Sequence, residues 1–136
     1  MLQVRLLNAE KCVVDEKWNY PGIISPFYRI YFALTGEASV FSNKKQYKLE
    51  PGFMYLIPAF TRNSYLCKNQ FEHIYLHVTI EPENELPVFL GNGGISKAGF
   101  STTEEFLAKR LLKLHPNKAL HNYRPETYNE KNSSED

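Results

Sequence analysis

Much of residues 1–80 is patterned with a period of two. Residues 27–35 alternate Ile30, Phe32 and Leu34 against Arg29, Tyr31, Ala33 and Thr35. Successive strand side chains point to opposite faces, so this alternation predicts a strand with two unlike faces. Gly36-Glu37 supplies a tight turn, glycine taking the positive φ that hairpin turns need. Further strands are predicted at 38–42, 46–49, 53–57, 64–67 and 71–80. They are separated by Asn43-Lys44-Lys45, Pro51-Gly52, a loop over 58–63 and Lys68-Asn69-Gln70. At least one more strand is expected around Val4, Leu6, Cys12 and Val14. Strands at this spacing, with no helices between them, predict an all-β sandwich or barrel.

The pattern changes after about residue 83. Residues 83–100 contain Asn92-Gly93-Gly94 and read as mostly loop. Ser101-Thr102-Thr103-Glu104 then has the form of a capping box. Phe106, Leu107, Leu111 and Leu114 follow at helical spacing, Glu105 and Lys109 form an i,i+4 pair, and Pro116 ends the helix. Residues 128–136 are rich in Asn, Ser and acid and read as a linker or frayed end. The expected organisation is a β-barrel with an N-terminal arm over 1–98, a helical segment over 99–116 and a linker over 117–136.

Composition narrows the function classes. A length of 136 residues fits one domain. Nine Tyr and nine Phe favour pleated structure. A formal net charge of +1 argues against direct nucleic-acid contact, which calls for a basic patch. Cys12 and Cys67, the two cysteines, fall short of a disulfide scaffold and read as reduced thiols. No apolar run approaches the ~20 residues of a membrane span. The mixed charge of the N-terminus is unlike a secretory signal, so the cytoplasm is the expected location and no membrane partner is expected.

The most informative chemistry lies in residues 71–80. His73, Tyr75 and His77 share one face with Phe71 and Thr79, while Ile74, Leu76, Val78 and Ile80 share the other. A face of aromatic and hydrogen-bonding groups suits a barrel lumen that binds a small polar molecule. The alternative is a face turned to solvent or to a partner strand. His73 and His77 are four strand residues apart, ~13 Å, too far for one metal ion. His115 and His121 have no partners at ligand spacing, so no metal and no cofactor is expected. Neither Ser25 nor Ser64 sits in a G-x-S-x-G elbow, neither cysteine has a recognisable activating context, and Gly91-Asn92-Gly93-Gly94 lacks the Lys-Ser/Thr of a phosphate loop. These absences lead to the expectation that the chain is not an enzyme. Trp18, the single tryptophan, reads as a core residue or as a cap on a barrel opening.

The ordered segments SPFYRIYFALTGEASVF (25–41), YKLEPGFMYLIPAF (47–60) and FEHIYLHVTI (71–80) resemble the N-terminal cupin domain of AraC/XylS-type transcriptional regulators. The resemblance implies a cupin-type double-stranded β-helix, a jelly-roll barrel, that binds an effector, often a sugar, and is followed by a C-terminal α-helix. It also implies a homodimer formed through the helical region, and a helix-turn-helix domain that this chain lacks and through which alone DNA would be contacted. In sugar-binding members the positions matching Thr35, Tyr65, His73 and Tyr75 contact the effector, and an N-terminal arm closes over it. Tyr31, Ala33 and His77 would line the same lumen, with Trp18 on the arm side. Two departures stand out. Many cupins carry a His after the Ile-Pro strand end, where this chain has Thr61-Arg62-Asn63, so the metal-binding pattern is broken. Thr35 replaces an Arg of the sugar binders.

The function expected is therefore effector sensing and dimerisation in an AraC-type regulator, with the helix stripe Leu107, Leu111 and Leu114 either joining two copies or packing on its own barrel. A small cupin enzyme, or a stand-alone binding protein for a sugar or small acid, is the alternative.

Overall fold

A computed structural model describes residues 3–81 and 94–120. The strands, in chain order, are β1 (Gln3–Asp15), β2 (Asn19–Ile24), β3 (Tyr28–Gly36), β4 (Ser39–Ser42), β5 (Lys45–Lys48), β6 (Phe53–Ile57), β7 (Arg62–Leu66), β8 (Gln70–Glu81) and β9 (Ser96–Gly99). They form two antiparallel sheets, ordered β1-β8-β3-β6-β9 and β2-β7-β4-β5. Among the described residues, the helix α1 (Thr102–Leu114) and a 3-10 turn (Pro116–Lys118) follow. No helix among the described residues is long and apolar enough to cross a membrane.

The period-two pattern decides which residues meet. The inward faces of the two sheets share one cluster that includes Cys12, Trp18, Tyr31, Val40, Tyr55, Tyr65, Phe71 and Tyr75. The aliphatic faces of β3 and β8 point outward instead. There Phe32 and Ile74 pack against Ala108 of α1, with Leu112, Leu34 and Phe100 around them. Tyr28, Val78 and Ala59 form a second outer cluster. The five-stranded sheet is thus covered on both sides, which is why β8 carries apolar side chains on each face.

Two strands escape the sequence pattern. Residues 19–24 hold Pro21-Gly22, which breaks a regular ladder, yet they form β2 against β7 with a register shift between Tyr20 and Ile23. β2 lies at the sheet edge, where a missing donor is tolerated. Gly22 takes φ +62°, and its N–H donates to Ser64 Oγ at 3.0 Å. The second is β9, which pairs with β6 from Phe53↔Gly99 to Leu56↔Ser96 inside the stretch expected to be loop. The Asn92-Gly93 part of that stretch lies outside the described residues.

α1 begins as expected. Ser101 Oγ accepts the Thr103 N–H at 3.2 Å and donates to the Glu104 carboxylate, and Glu105 pairs with Lys109 at 2.7 Å. The 3-10 turn after His115 and the residues to Leu120 pack back on the barrel, where Leu120 joins the inner cluster. The linker expected from residue 117 therefore has an ordered start, and residues 121–136 lie outside the described residues.

Gly36 closes the β3–β4 turn at φ +86°, and a Cβ there would lie 2.1 Å from the Gln70 carbonyl oxygen. Gly52 has a similar φ of +90° but open space around it. Gly36→Ala is expected to cost about 3 kcal/mol or more in urea denaturation, combining backbone strain with a main-chain clash. Gly52→Ala, which adds strain alone, is expected to cost about 1 kcal/mol. Equal losses would show that the approach of β3 to β8 does not constrain position 36.

Candidate functional site

Pairing of β8 with both β1 and β3 sets the inward residues in rows across the sheet. Asn8, His77 and Arg29 form one row; Glu10, Tyr75 and Tyr31 the next; Cys12, His73 and Ala33 the third. Side chains directly opposite one another are ~5 Å apart, so each row is a set of contacts.

The first row is polar and buried. Arg29 is 3% exposed. Its Nη2 donates to Ser25 Oγ at 2.8 Å, and its Nη1 lies 3.2 Å from His77 Nε2. A guanidinium can only donate, so Nε2 is the acceptor and the imidazole proton sits on Nδ1. That N–H donates to Asn8 Oδ1 at 3.3 Å. The guanidinium carbon also lies 5.0 Å from the Phe27 ring centroid and 5.3 Å from that of Tyr65. Burial, reinforced by the Arg29 charge, holds His77 well below its ordinary 6.5. Burial also raises the Tyr31 phenol far above its usual value, although Arg29 pulls it the other way. The row therefore combines a cation with neutral hydrogen-bonding groups.

The second row reaches the C-terminal segment. Tyr75 Oη donates to Glu10 Oε1 at 3.2 Å and accepts the Leu120 N–H at 3.2 Å. The third row is set among aromatic rings. His73 stacks on Phe71 at 4.5 Å between centroids and meets Tyr31 edge-on at 5.0 Å. Burial pushes its imidazole down to about 3. Cys12 Sγ lies 3.6 Å from Nε2 and 3.8 Å from Nδ1 of His73, within hydrogen-bonding reach of both ring nitrogens. Trp18 lies 5.5–6.2 Å from Tyr31, Tyr65, Phe71 and His73, as a buried member of the inner cluster.

Seven of the sequence-predicted residues are brought together in the interior: Trp18, Tyr31, Ala33, Tyr65, His73, Tyr75 and His77 are all buried. Thr35 is not among them. A register shift between Ala33 and Thr35 breaks the alternation, and Thr35 is exposed, donating to Glu72 Oε1 at 3.2 Å. On the helix, Leu107 and Leu114 are exposed beside Phe106, whereas Leu111 is half-buried. Ala108 and Leu112 make the barrel contact.

Sequence reasoning gave no lumen role to Arg29, Ser25, Asn8, Glu10 or Asn63, taking Ser25 up only as a nucleophile and Asn63 only as a break in the metal-binding pattern. Arg29 had a signal, a charge in phase with Tyr31 and Ala33; Asn8 and Glu10 become visible only through strand register, and Ser25 through its bond to Arg29. Cys12 likewise acquires His73 as a neighbour through the β1–β8 pairing. Asn63, 2% exposed, donates through Nδ2 to Thr61 O and Thr61 Oγ1, and its Oδ1 is buried with no hydrogen-bond donor. Such an acceptor costs about 1–3 kcal/mol. Among the described residues, no three His, Cys, Asp or Glu side chains cluster as metal ligands. A concavity of about 380 Å³ lies elsewhere, on the outer side of the four-stranded sheet, with Phe41, Leu66, Lys48 and Lys68 in its lining.

No family model and no curated protein matches the chain. Solved structures do. ToxT from Vibrio cholerae O395, bound to (E)-4-(8-methylnaphthalen-1-yl)but-3-enoic acid, is similar over 93% of this chain and 51% of its own, with 11% identity and a TM-score of 0.50. DMSP lyase DddQ from Ruegeria pomeroyi DSS-3 is similar over 60% of this chain and 48% of its own, with 20% identity and a TM-score of 0.46. A salicylate 1,2-dioxygenase from Pseudaminobacter salicylatoxidans covers 71% of this chain and 25% of its own, with 16% identity and a TM-score of 0.45. The chain thus spans about half the length of ToxT and DddQ, and a quarter of the dioxygenase. The shared fold is the cupin jelly roll. The expectation that the chain is not an enzyme is corrected by the lyase and the dioxygenase: this fold carries enzymes, so the missing serine elbow and phosphate loop do not place the chain outside them.

The depressed imidazoles make stability depend on pH. Between pH 6.5 and about 3 the unfolded chain binds a proton at His73 that the folded chain refuses. His77 acts in the same direction. Stability is therefore full above pH 6.5 and falls as pH drops, approaching about 1.4 kcal/mol per pH unit for each buried imidazole. His73→Phe, which keeps a stacked ring, is expected to reduce by about half the loss of unfolding free energy between pH 6 and pH 5. An unchanged slope in urea titrations would show that His73 is not held neutral.

Proposed function

We propose that this chain is the effector-sensing and dimerisation domain of an AraC-type regulator. In this reading a small molecule binds inside the barrel, and DNA is contacted only by another part of the regulator. The observation that carries the reading is the buried lumen face itself. A soluble domain gains more stability from an aliphatic interior than from a buried Arg, two imidazoles and an Asn acceptor without a donor, so polar groups in this number fit recognition better than packing. The order of motifs shared with AraC/XylS-type cupin domains supports the regulatory part, and ToxT, an AraC-family regulator, has the same fold.

The Leu120–Tyr75 hydrogen bond supplies a connection from the lumen to the segment after α1. An occupant that moves Tyr75 would shift that segment between two arrangements. Phe106, Leu107 and Leu114, 59–65% exposed, offer an apolar stripe for self-association, while Ala108 holds α1 to its own barrel. The helix thus has a face for each of its two expected roles.

Two measurements test the reading. Trp18 is the sole tryptophan and lies against four lumen rings, so its emission reports occupancy. A panel of sugars and small acids is expected to contain a compound that shifts this emission and raises Tm saturably, with the response lost in Tyr75→Ala. A panel without such a compound would sink the sensing role. Sedimentation velocity is expected to show a dimer that Leu107→Asp combined with Leu114→Asp converts to monomer without change in circular dichroism. A dimer that survives both substitutions would remove α1 from the interface.

A further inference from the structure

We infer that the concavity on the outer wall of the four-stranded sheet is a second binding site, taking a small monocarboxylate with an apolar body. The carboxylate meets Lys48, Lys68 and Ser39, and the hydrocarbon part lies on Phe41 and Leu66. This wall faces away from the lumen, and the inference does not depend on what the lumen binds.

Register assembles the wall. Ser39 of β4 stands opposite both Lys48 of β5 and Leu66 of β7, and Phe41 stands opposite Gln46. Residues directly opposite in an antiparallel pair share a face. Here it is the outward face, because Val40 and Tyr65, one position along their strands, belong to the inner cluster. The depression has a volume of about 380 Å³, within the range of small-molecule sites. Main-chain bonds hold its rim: the Leu49 N–H donates to Ala38 O at 2.8 Å, and the Glu37 N–H to Gln70 O at 3.0 Å. A ligand therefore meets a surface that is already formed.

The charges around the depression do not cancel. Glu50 is taken by Lys97 at 3.0 Å, whereas among the described residues neither Lys48 nor Lys68 is in an ion pair. Glu37 is the other acid in the lining, so two free cations face one free carboxylate. One positive charge in excess suits a single bound carboxylate and works against a dianion. Lysines on an edge strand such as β5 can serve simply to block pairing with other chains. Lys68 follows β7, which lies inside the sheet, so edge protection does not account for both. The Gln46 amide donates to Ser39 Oγ at 3.0 Å, which leaves the Ser39 O–H to donate in turn. Beside these donors, the exposed ring of Phe41 and the half-buried Leu66 supply apolar surface. Cationic and hydroxyl donors next to hydrocarbon match an amphipathic monoanion.

The test titrates hexanoate and benzoate into the whole chain by calorimetry at low salt, with amide shifts of an isotope-labelled sample locating the site. Hexanol, hexylammonium and adipate are the neutral, cationic and doubly charged probes. At least one monocarboxylate is expected to bind saturably, about ten-fold or more tightly than any of the three, and to shift the amides of Ser39, Phe41 and Lys48. Lys48→Gln combined with Lys68→Gln, both on exposed side chains, is expected to weaken that binding about ten-fold or more with circular dichroism unchanged. Phe41→Ala is expected to remove the advantage of hexanoate over acetate. Equal affinity for hexanoate and hexanol, binding that survives the double lysine substitution, or no binding of either monocarboxylate would overturn the inference. Shifts confined to lumen residues such as His73 and Tyr75 would overturn it and leave the sensing role standing. A lumen that responds to nothing, while the Ser39 amide responds, would remove that role and keep the outer site.

Discussion

A strand hydrogen-bonded along both edges and covered on both faces has no solvent of its own, and β8 is such a strand. β1 and β3 take up its backbone, the inner cluster takes up Phe71 and Tyr75 with His73 stacked on Phe71, and the outer clusters take up Ile74 and Val78. Backbone groups in that position must be paired, because an unpaired buried amide costs as much as several ordinary contacts gain. The pairing fixes the register, and a slip by one residue would exchange the aliphatic and the aromatic faces wholesale. The placement of the lumen residues on β1, β3 and β8 follows from that constraint.

Once the rows are fixed, electrostatics follows from burial. An imidazole with no water around it does not hold a proton beside a guanidinium, so His77 becomes an acceptor for Arg29 and passes its remaining N–H to Asn8. The same lack of water strengthens each hydrogen bond that is made and penalises each that is not. The interior is therefore sharply divided. At the Arg29 end polar groups direct one another, whereas at the Trp18 end rings pack together with the Cys12 and Cys67 thiols in the same cluster. The helix on the outside is held through Ala108 and Leu112 and touches none of this chemistry directly.

Much of the architecture was legible because strand alternation is written in the residues themselves. The two faces of β3 and β8, the Gly36 turn and the Ser101 cap all follow from local pattern. β2 was hidden by Pro21-Gly22, whose local preference is a turn, and only the neighbouring β7 makes an edge strand of it. β9 was hidden because four residues, Ser-Lys-Ala-Gly, carry too little alternation to stand out. Thr35 was misplaced by a bulge, which shifts parity without leaving a mark in sequence. The polar network was the least legible part. Asn8 and Glu10 lie far along the chain from His77 and Tyr75, and register alone brings them together.

The two cysteines acquire a use from where the fold puts them. Cys12 sits on an edge strand that pairs in the sheet with β8, and Cys67 donates to the Glu37 carbonyl at 3.5 Å beside the Gly36 turn. Both thiols are buried, and burial further raises the Cys67 thiol. A modifying reagent needs an accessible thiolate, so neither sulfur can react until its part of the barrel opens. Their reaction rates thus become two separate clocks. Cys12 times the peeling of β1 from the sheet, and Cys67 times the loosening of the opposite wall.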